Sequence, residues 1–160
     1  MRRLILTADD LGHGPGVDEG IFRAHREGLL RHASWLAAGP SAAAAALRAK
    51  TEYPGLSIGL HVALCAGLPS SPLSVSNLAP GGAFPSAPFL CGLKYFLRLD
   101  LRPALEREMR AQFERFLSFG FRPSHVDGHL NIHAHPAVFP ILLRLCREYG
   151  FSRVRLPGGE

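Results

Sequence analysis

The chain has 160 residues, 47% of them apolar and 19% charged, which is the balance of an ordinary soluble globular domain with a core of its own. Its formal charge of +5 comes from scattered arginines, with no run of five or six, so a nucleic-acid face is excluded and the charge reads as a solvated surface. No stretch approaches the length of a membrane span, and the three distant cysteines, Cys65, Cys91 and Cys146, form no metal knuckle or disulfide framework, which suits a reducing, cytoplasmic compartment.

In chain order, residues 3–8 predict a buried strand that ends at the pair Asp9-Asp10. Gly12, Gly14, Pro15 and Gly16 turn the chain sharply behind these acids. Residues 16–28 read as a helix with Val17, Ile21 and Ala24 on one face and acids in the first turn. Residues 32–38 form a second strand around Trp35 and Leu36. Ser41 then offers an N-cap to an alanine-rich helix that reaches Glu52 and breaks at Pro54-Gly55. Residues 56–63 predict a third strand, with His61 near its end.

From Leu64 to Leu90 the periodicity disappears, and five prolines and Gly81-Gly82 predict a long irregular excursion. A strong helix is expected from Asp100 to Gly120, with Leu101, Leu105, Met109, Phe113 and Phe116 inward and Glu106–Arg110 as an exposed pair. A short strand follows over 123–126, then a helix from Pro136 to Gly150, then a fifth strand over 151–156. Gly128 and Asn131 argue against a helix between the 123–126 strand and Pro136, so against a helical His129/His133 pair. Strands alternate with helices, which predicts a parallel α/β sheet. With five strands in 160 residues, the fold is either an open sheet or a (β/α) barrel-like fold cut short, because a closed barrel takes about 250 residues.

Functional groups in parallel α/β folds gather at the carboxyl ends of the strands. Three clusters fall there: Asp9-Asp10, His61, and the run His125, Asp127, His129, His133, His135. Singly, each has a bland explanation, as a turn pair, a satisfied core histidine or a solvated histidine-rich turn. Together they offer two imidazoles and a carboxylate for a divalent ion, with a second carboxylate to take a proton from water. No nucleophile elbow, phosphate-binding loop or dinucleotide fingerprint occurs.

The phrases Thr7-Ala8-Asp9-Asp10-Leu11-Gly12, Ala24-His25-Arg26-Glu27-Gly28, Ala33-Ser34, Gly59-Leu60-His61 and Ser124-His125-Val126-Asp127-Gly128-His129 resemble the YdjC-like carbohydrate deacetylases, nearly end to end. Asp127-Gly128-His129-Leu130 and Arg155-Leu156-Pro157 are similar to the branch associated with hopanoid biosynthesis. The resemblance implies one domain over 1–160, an irregular (β/α) barrel, and metal-dependent removal of acetyl groups from N-acetylated sugars or glycolipids. It implies Asp10, His61 and His125 as metal ligands and Asp9 as the catalytic base. Asp127, His129 and His133 would orient a ligand or contact sugar hydroxyls. Zinc, magnesium, manganese and cobalt all suit such a donor set.

Members of that family are longer and carry a late His-Pro-Gly phrase, a natural general acid, which this sequence lacks. The expectation is therefore a domain without its carboxyl-terminal part. Its open sheet edges favour homo-oligomers, and a lipid substrate implies peripheral membrane contact. Two other readings stay open. One is an inactive half-barrel that binds sugar or metal or self-associates. The other is a metal-dependent phosphoesterase.

Overall fold

The computed structural model describes residues 4–71 and 77–158. Arg3, Pro72 and Gly159-Glu160, which belong to expected segments, lie outside the described residues. Four parallel strands make one sheet: β1 (Thr7–Leu11), β2 (His32–Leu36), β3 (Ser57–Val62) and β4 (Val126–Gly128). Their order in the sheet is their order in the chain. Right-handed crossovers between successive neighbours carry every connecting helix to the same face. The architecture is α/β, and the sheet winds in one direction as a barrel wall does.

The helices are α1 (Pro15–Glu27), α2 (Ala42–Thr51), α3 (Pro88–Leu97), α4 (Arg102–Ser118) and α5 (Phe139–Glu148). Two 3₁₀ segments, Leu99–Leu101 and His129–Ala134, join them. Alternation along β2 sorts the two faces of the sheet. Trp35 points to the helices and meets the rings of Phe116, Phe119 and Phe121, while its indole N–H donates to the Ala42 carbonyl at 2.9 Å. Leu60 and Val126 share its row, and all three are fully buried. The opposite face carries Ser34, His61 and Asp127.

Five expected elements differ from what is found. The strand expected over 123–126 lies later, at Val126–Gly128, where it pairs with Leu60–Val62 of β3. The first strand lies later than expected: it begins at Thr7, and Leu4, Ile5 and Leu6 are exposed, because pairing with β2 starts only at Thr7↔His32. Helix α3 falls at the end of the expected irregular excursion. Its residues Phe89, Leu90, Leu93, Phe96 and Leu97 are exposed while Cys91 and Tyr95 are buried, so it has no polar face for a periodicity reading to find. The last helix opens at Phe139 rather than Pro136. The fifth strand reduces to one bridge, Val126↔Val154.

Polar side chains fasten the loops that frame the polar face. Asp18 is buried, and it accepts from the Gly12 N–H at 2.6 Å and the Ser41 hydroxyl at 2.5 Å. Ser41 thus braces the turn after β1 instead of capping α2. Glu108, fully buried on α4, accepts from the backbone N–H groups of Ser70 and Ser71. Gln112 clamps both backbone polar groups of Ala63, its carbonyl oxygen accepting at 3.0 Å and its amide donating at 2.7 Å.

Candidate metal centre

Successive residues of a regular strand point to opposite faces, so two adjacent acids would not normally serve one site. Strand β1 solves this with a bulge. Ala8 pairs with Ala33 and Leu11 with Trp35, which leaves Asp9 and Asp10 together opposite Ser34. Asp10 takes the left-handed conformation, φ 66, which Asp tolerates better than most residues. Both carboxylates consequently reach the polar face.

Asp10 Oδ1 accepts from His129 Nδ1 at 2.8 Å and lies 3.3 Å from His61 Nε2. His61 Nδ1 in turn donates to Asp127 Oδ1 at 2.6 Å. The remaining Asp127 oxygen receives the Ser34 hydroxyl at 2.6 Å and Arg155 Nη2 at 2.8 Å. The same Arg155 nitrogen spans both oxygens of Asp9, at 2.6 and 2.7 Å. Three carboxylates, two imidazoles and a guanidinium therefore form one connected network.

Among the described residues, two trios place donor atoms within 4.8 Å of one another: Asp10, His61 and His129, and Asp9, His61 and Asp127. The first offers two imidazoles and one carboxylate, a donor set that suits a hydrated divalent ion. His61 has its other ring nitrogen anchored on a buried carboxylate, the arrangement that fixes the tautomer and orientation of a metal-binding histidine.

His125 stands apart from this trio. A hydroxyl has one proton, and Ser34 gives its proton to Asp127. His125 Nε2, 3.0 Å from the Ser34 oxygen, must then be the donor of that contact, so this nitrogen carries hydrogen and has no free lone pair. Its Nδ1 lies 3.2 Å from the Ser124 hydroxyl. Gly59 makes the ring's position possible, because a Cβ there would come within 2.4 Å of the imidazole. His133 is buried and donates from Nε2 to the Arg155 carbonyl at 2.8 Å, while its Nδ1 has no partner among the described residues. It holds the strap that carries Arg155. His129 and His133 do not share a helix face, because Leu130 and Asn131 take positive φ between them.

The electrostatics follow the contacts. The His129 and His61 hydrogen bonds hold Asp10 well below the usual carboxylate range. Burial alone would lower the His61 pKa, but hydrogen bonds to Asp10 and Asp127 outweigh it and push it up to about 9. Burial would raise Asp127, yet His61, Ser34 and Arg155 bring it down. His125 is lowered, mainly by burial. These contacts favour the protonated form of His61 between its two carboxylates, and a divalent ion held at His61 would displace that proton.

The structure brings Asp9, Asp10, His61, Asp127 and His129 into one site, with His125 and His133 at its edge. Ser34 and Arg155 belong to it as well; both stand in phrases that resemble the family, but nothing in the sequence assigns either a role in the site. The profile of the YdjC-like protein family matches residues 3–160. The chain belongs to the YdjC-like family. A carbohydrate deacetylase of Geobacillus stearothermophilus is 38% identical over 149 residues, covering 92% of this chain and 57% of the relative. A chitooligosaccharide deacetylase of Enterobacter sp. (strain 638) is 33% identical over 150 residues, with 93% and 57% coverage. The crystal structure of an Enterococcus faecalis V583 protein, described as a cellobiose-phosphate cleavage protein, superposes with a TM-score of 0.83 at 27% identity, covering 97% of this chain and 59% of that one. This YdjC-like chain thus spans under two thirds of the length of the relatives it matches.

Proposed function

We propose that this chain carries the metal-binding site of a carbohydrate N-deacetylase, and that Asp10, His61 and His129 hold one divalent ion. The observation that carries the reading is the convergence of those three donors on one point, with His61 anchored from behind by Asp127. His129 takes the ligand role in place of His125, which belongs to neither trio of converging donors. When bound, the ion polarises an amide carbonyl and acidifies a water molecule. Zinc, magnesium, manganese and cobalt remain equally compatible donors' partners.

The protein's own groups do the rest. Asp9 accepts the proton of the attacking water on a carboxylate oxygen, and Arg155 fixes the orientation of that carboxylate. Asp127 keeps His61 in the tautomer that presents Nε2 to the site. Water adds its oxygen to the acetyl carbon, a proton of that water passes to the amide nitrogen as the C–N bond breaks, and the products are acetate and the free amino sugar.

N-acetylglucosamine-type sugars are the substrate class, in keeping with the names of the deacetylase relatives. Within that class we place the glucosamine of a hopanoid headgroup first, on the phrases around His129 and Arg155, and short chito-oligosaccharides second. A lipid-linked substrate would be met from the cytoplasm at the membrane surface. No described helix is long and apolar enough to cross a membrane. Self-association through the open sheet edges is part of the same reading.

Two measurements test it. Asp10→Ala, His61→Ala and His129→Ala should each abolish stoichiometric binding of a divalent ion, whereas His125→Ala should retain it. Full metal content in the Asp10 and His61 variants would sink the assignment. Release of acetate from an N-acetylglucosaminyl substrate by this chain is the expected activity. Metal binding without turnover would favour a binding-only half-barrel, and hydrolysis of a generic phosphodiester would favour a phosphoesterase.

A further inference from the structure

Beside the trio lies a cavity of about 350 Å³, to which His129 contributes one wall. Its other walls are almost wholly apolar: Leu36, Ala38, Ala66, Leu68, Ala83 and Phe84. The wall around Phe84 is a built one. The Phe84 N–H donates to the Gly67 carbonyl at 2.8 Å, and the Ala66 N–H donates to the Pro85 carbonyl at 2.9 Å. The irregular excursion after β3 thus closes one side of this space.

Polar groups on the walls are already committed or lie at the rim. Gln112 spends its oxygen on the Ala63 N–H and its amide on the Ala63 carbonyl and Glu108. His129 Nδ1 donates to Asp10. His13 and Ser86 are exposed at the mouth. A sugar ring pushed inside would lose its hydroxyls' bonds to water and find few replacements. A hydrocarbon chain would lose nothing of the kind and would gain from leaving water. The space also exceeds what an acetyl methyl needs by about tenfold, if a methyl occupies roughly the ~30 Å³ of a water molecule.

We propose that this cavity is an acyl pocket, and that besides N-acetyl sugars the chain takes, and holds more tightly, N-acyl amino sugars whose acyl group is longer than acetyl, about four to six carbons. The sugar then sits at the mouth, near His13 and Ser86, with the acyl chain inside and the amide carbonyl at the Asp10–His61–His129 cluster. The inference rests on reading that cluster as the place where the amide is held. The bond chemistry is that of deacetylation: water gives its oxygen to the acyl carbon and a proton to the amine, releasing a short-chain carboxylate.

Calorimetric titration of the chain with N-acetyl-, N-butyryl- and N-hexanoylglucosamine tests it without requiring turnover. Affinity should rise about fourfold for each added methylene, hence about tenfold or more from acetyl to butyryl. Ala83→Phe, at an exposed wall position, should flatten the series, and circular dichroism checks that this variant is folded. A flat, falling or undetectable series overturns the acyl pocket. Acetate release from N-acetylglucosamine is scored separately. Its absence alongside a rising series defeats the deacetylase reading and leaves the pocket standing, whereas release alongside a flat series does the reverse.

Discussion

Neighbouring residues of β2, Ser34 and Trp35, are both completely buried, yet they are held by different physics. Trp35 faces the helices among Phe116, Phe119 and Phe121, and its stability comes from area and shape. Ser34 faces the site and is fixed by two directional contacts, one to Asp127 and one to His125. The helix face distributes its energy over many interchangeable contacts. The site face concentrates it in a few bonds, each with one proton to give. Burial alone does not tell a core from a site; the number of partners a group can lose does.

Substitutions can break that contrast at either end. The largest expected effect is on the helix face, where Trp35→Ala should cost about 3–5 kcal/mol in urea unfolding. A loss below about 1 kcal/mol would mean that this face is not the main core.

Next in size is pH. With metal removed by a chelator, His61 titrates at about 9 in the folded chain against 6.5 unfolded. A raised pKa gives stability that is fully present below pH 6.5 and is lost as pH climbs through 9. Asp10 and Asp127 are depressed, so their contribution is present above the ordinary 3.8 and fades as pH falls further. Metal-free chain should therefore lose a few kcal/mol at most between neutrality and pH 9, and His61→Gln should remove that slope. The Trp35→Ala penalty should not depend on pH in that window. Equal slopes in wild type and His61→Gln would contradict the charged cluster.

Smaller effects separate His125 from the Asp10–His61–His129 trio. Gly59→Ala puts a methyl into the His125 ring and should cost about 1–3 kcal/mol, with metal stoichiometry unchanged. Loss of metal in this variant would return His125 to the ligand set. Ser34→Ala is the mildest, about 1–2 kcal/mol, since it leaves one His125 N–H without its acceptor while Asp127 keeps Arg155. A thermal melt shifted by less than the error would show that water replaces the hydroxyl.

Much of the frame was legible in the sequence. The second and third strands, the alanine-rich helix and α4 announced themselves through periodicity and breakers, because their faces are consistently apolar on one side. Helix α3 hid because it is apolar on both sides. The fifth strand is over-read from sequence: residues 151–156 look strand-like, but their pairing stops at the single bridge Val126↔Val154. In the site, Asp10 and His61 stood out as acid and imidazole at strand ends. The resemblance put His125 in the ligand set and His129 beside it, although both flank Asp127 at two residues. What distinguishes them is backbone direction: His125 lies over Gly59, and His129 is turned toward Asp10 just before the kink at Leu130 and Asn131. Ser34 stood in a family-like phrase without a role, and only the fold reveals that it divides its bonds between His125 and Asp127.

The bulge in β1 has a consequence for any attempt to rebuild or transplant this site. A strand is read in twos, and here one beat is added. Deleting either acid would restore the regular beat and aim the survivor by the parity of its neighbours, not by its own chemistry. Asp9 and Asp10 are therefore a single insertion rather than two independent residues. A graft that carried one without the other would carry neither function, whereas Asp10→Asn would keep the left-handed backbone and silence only the charge.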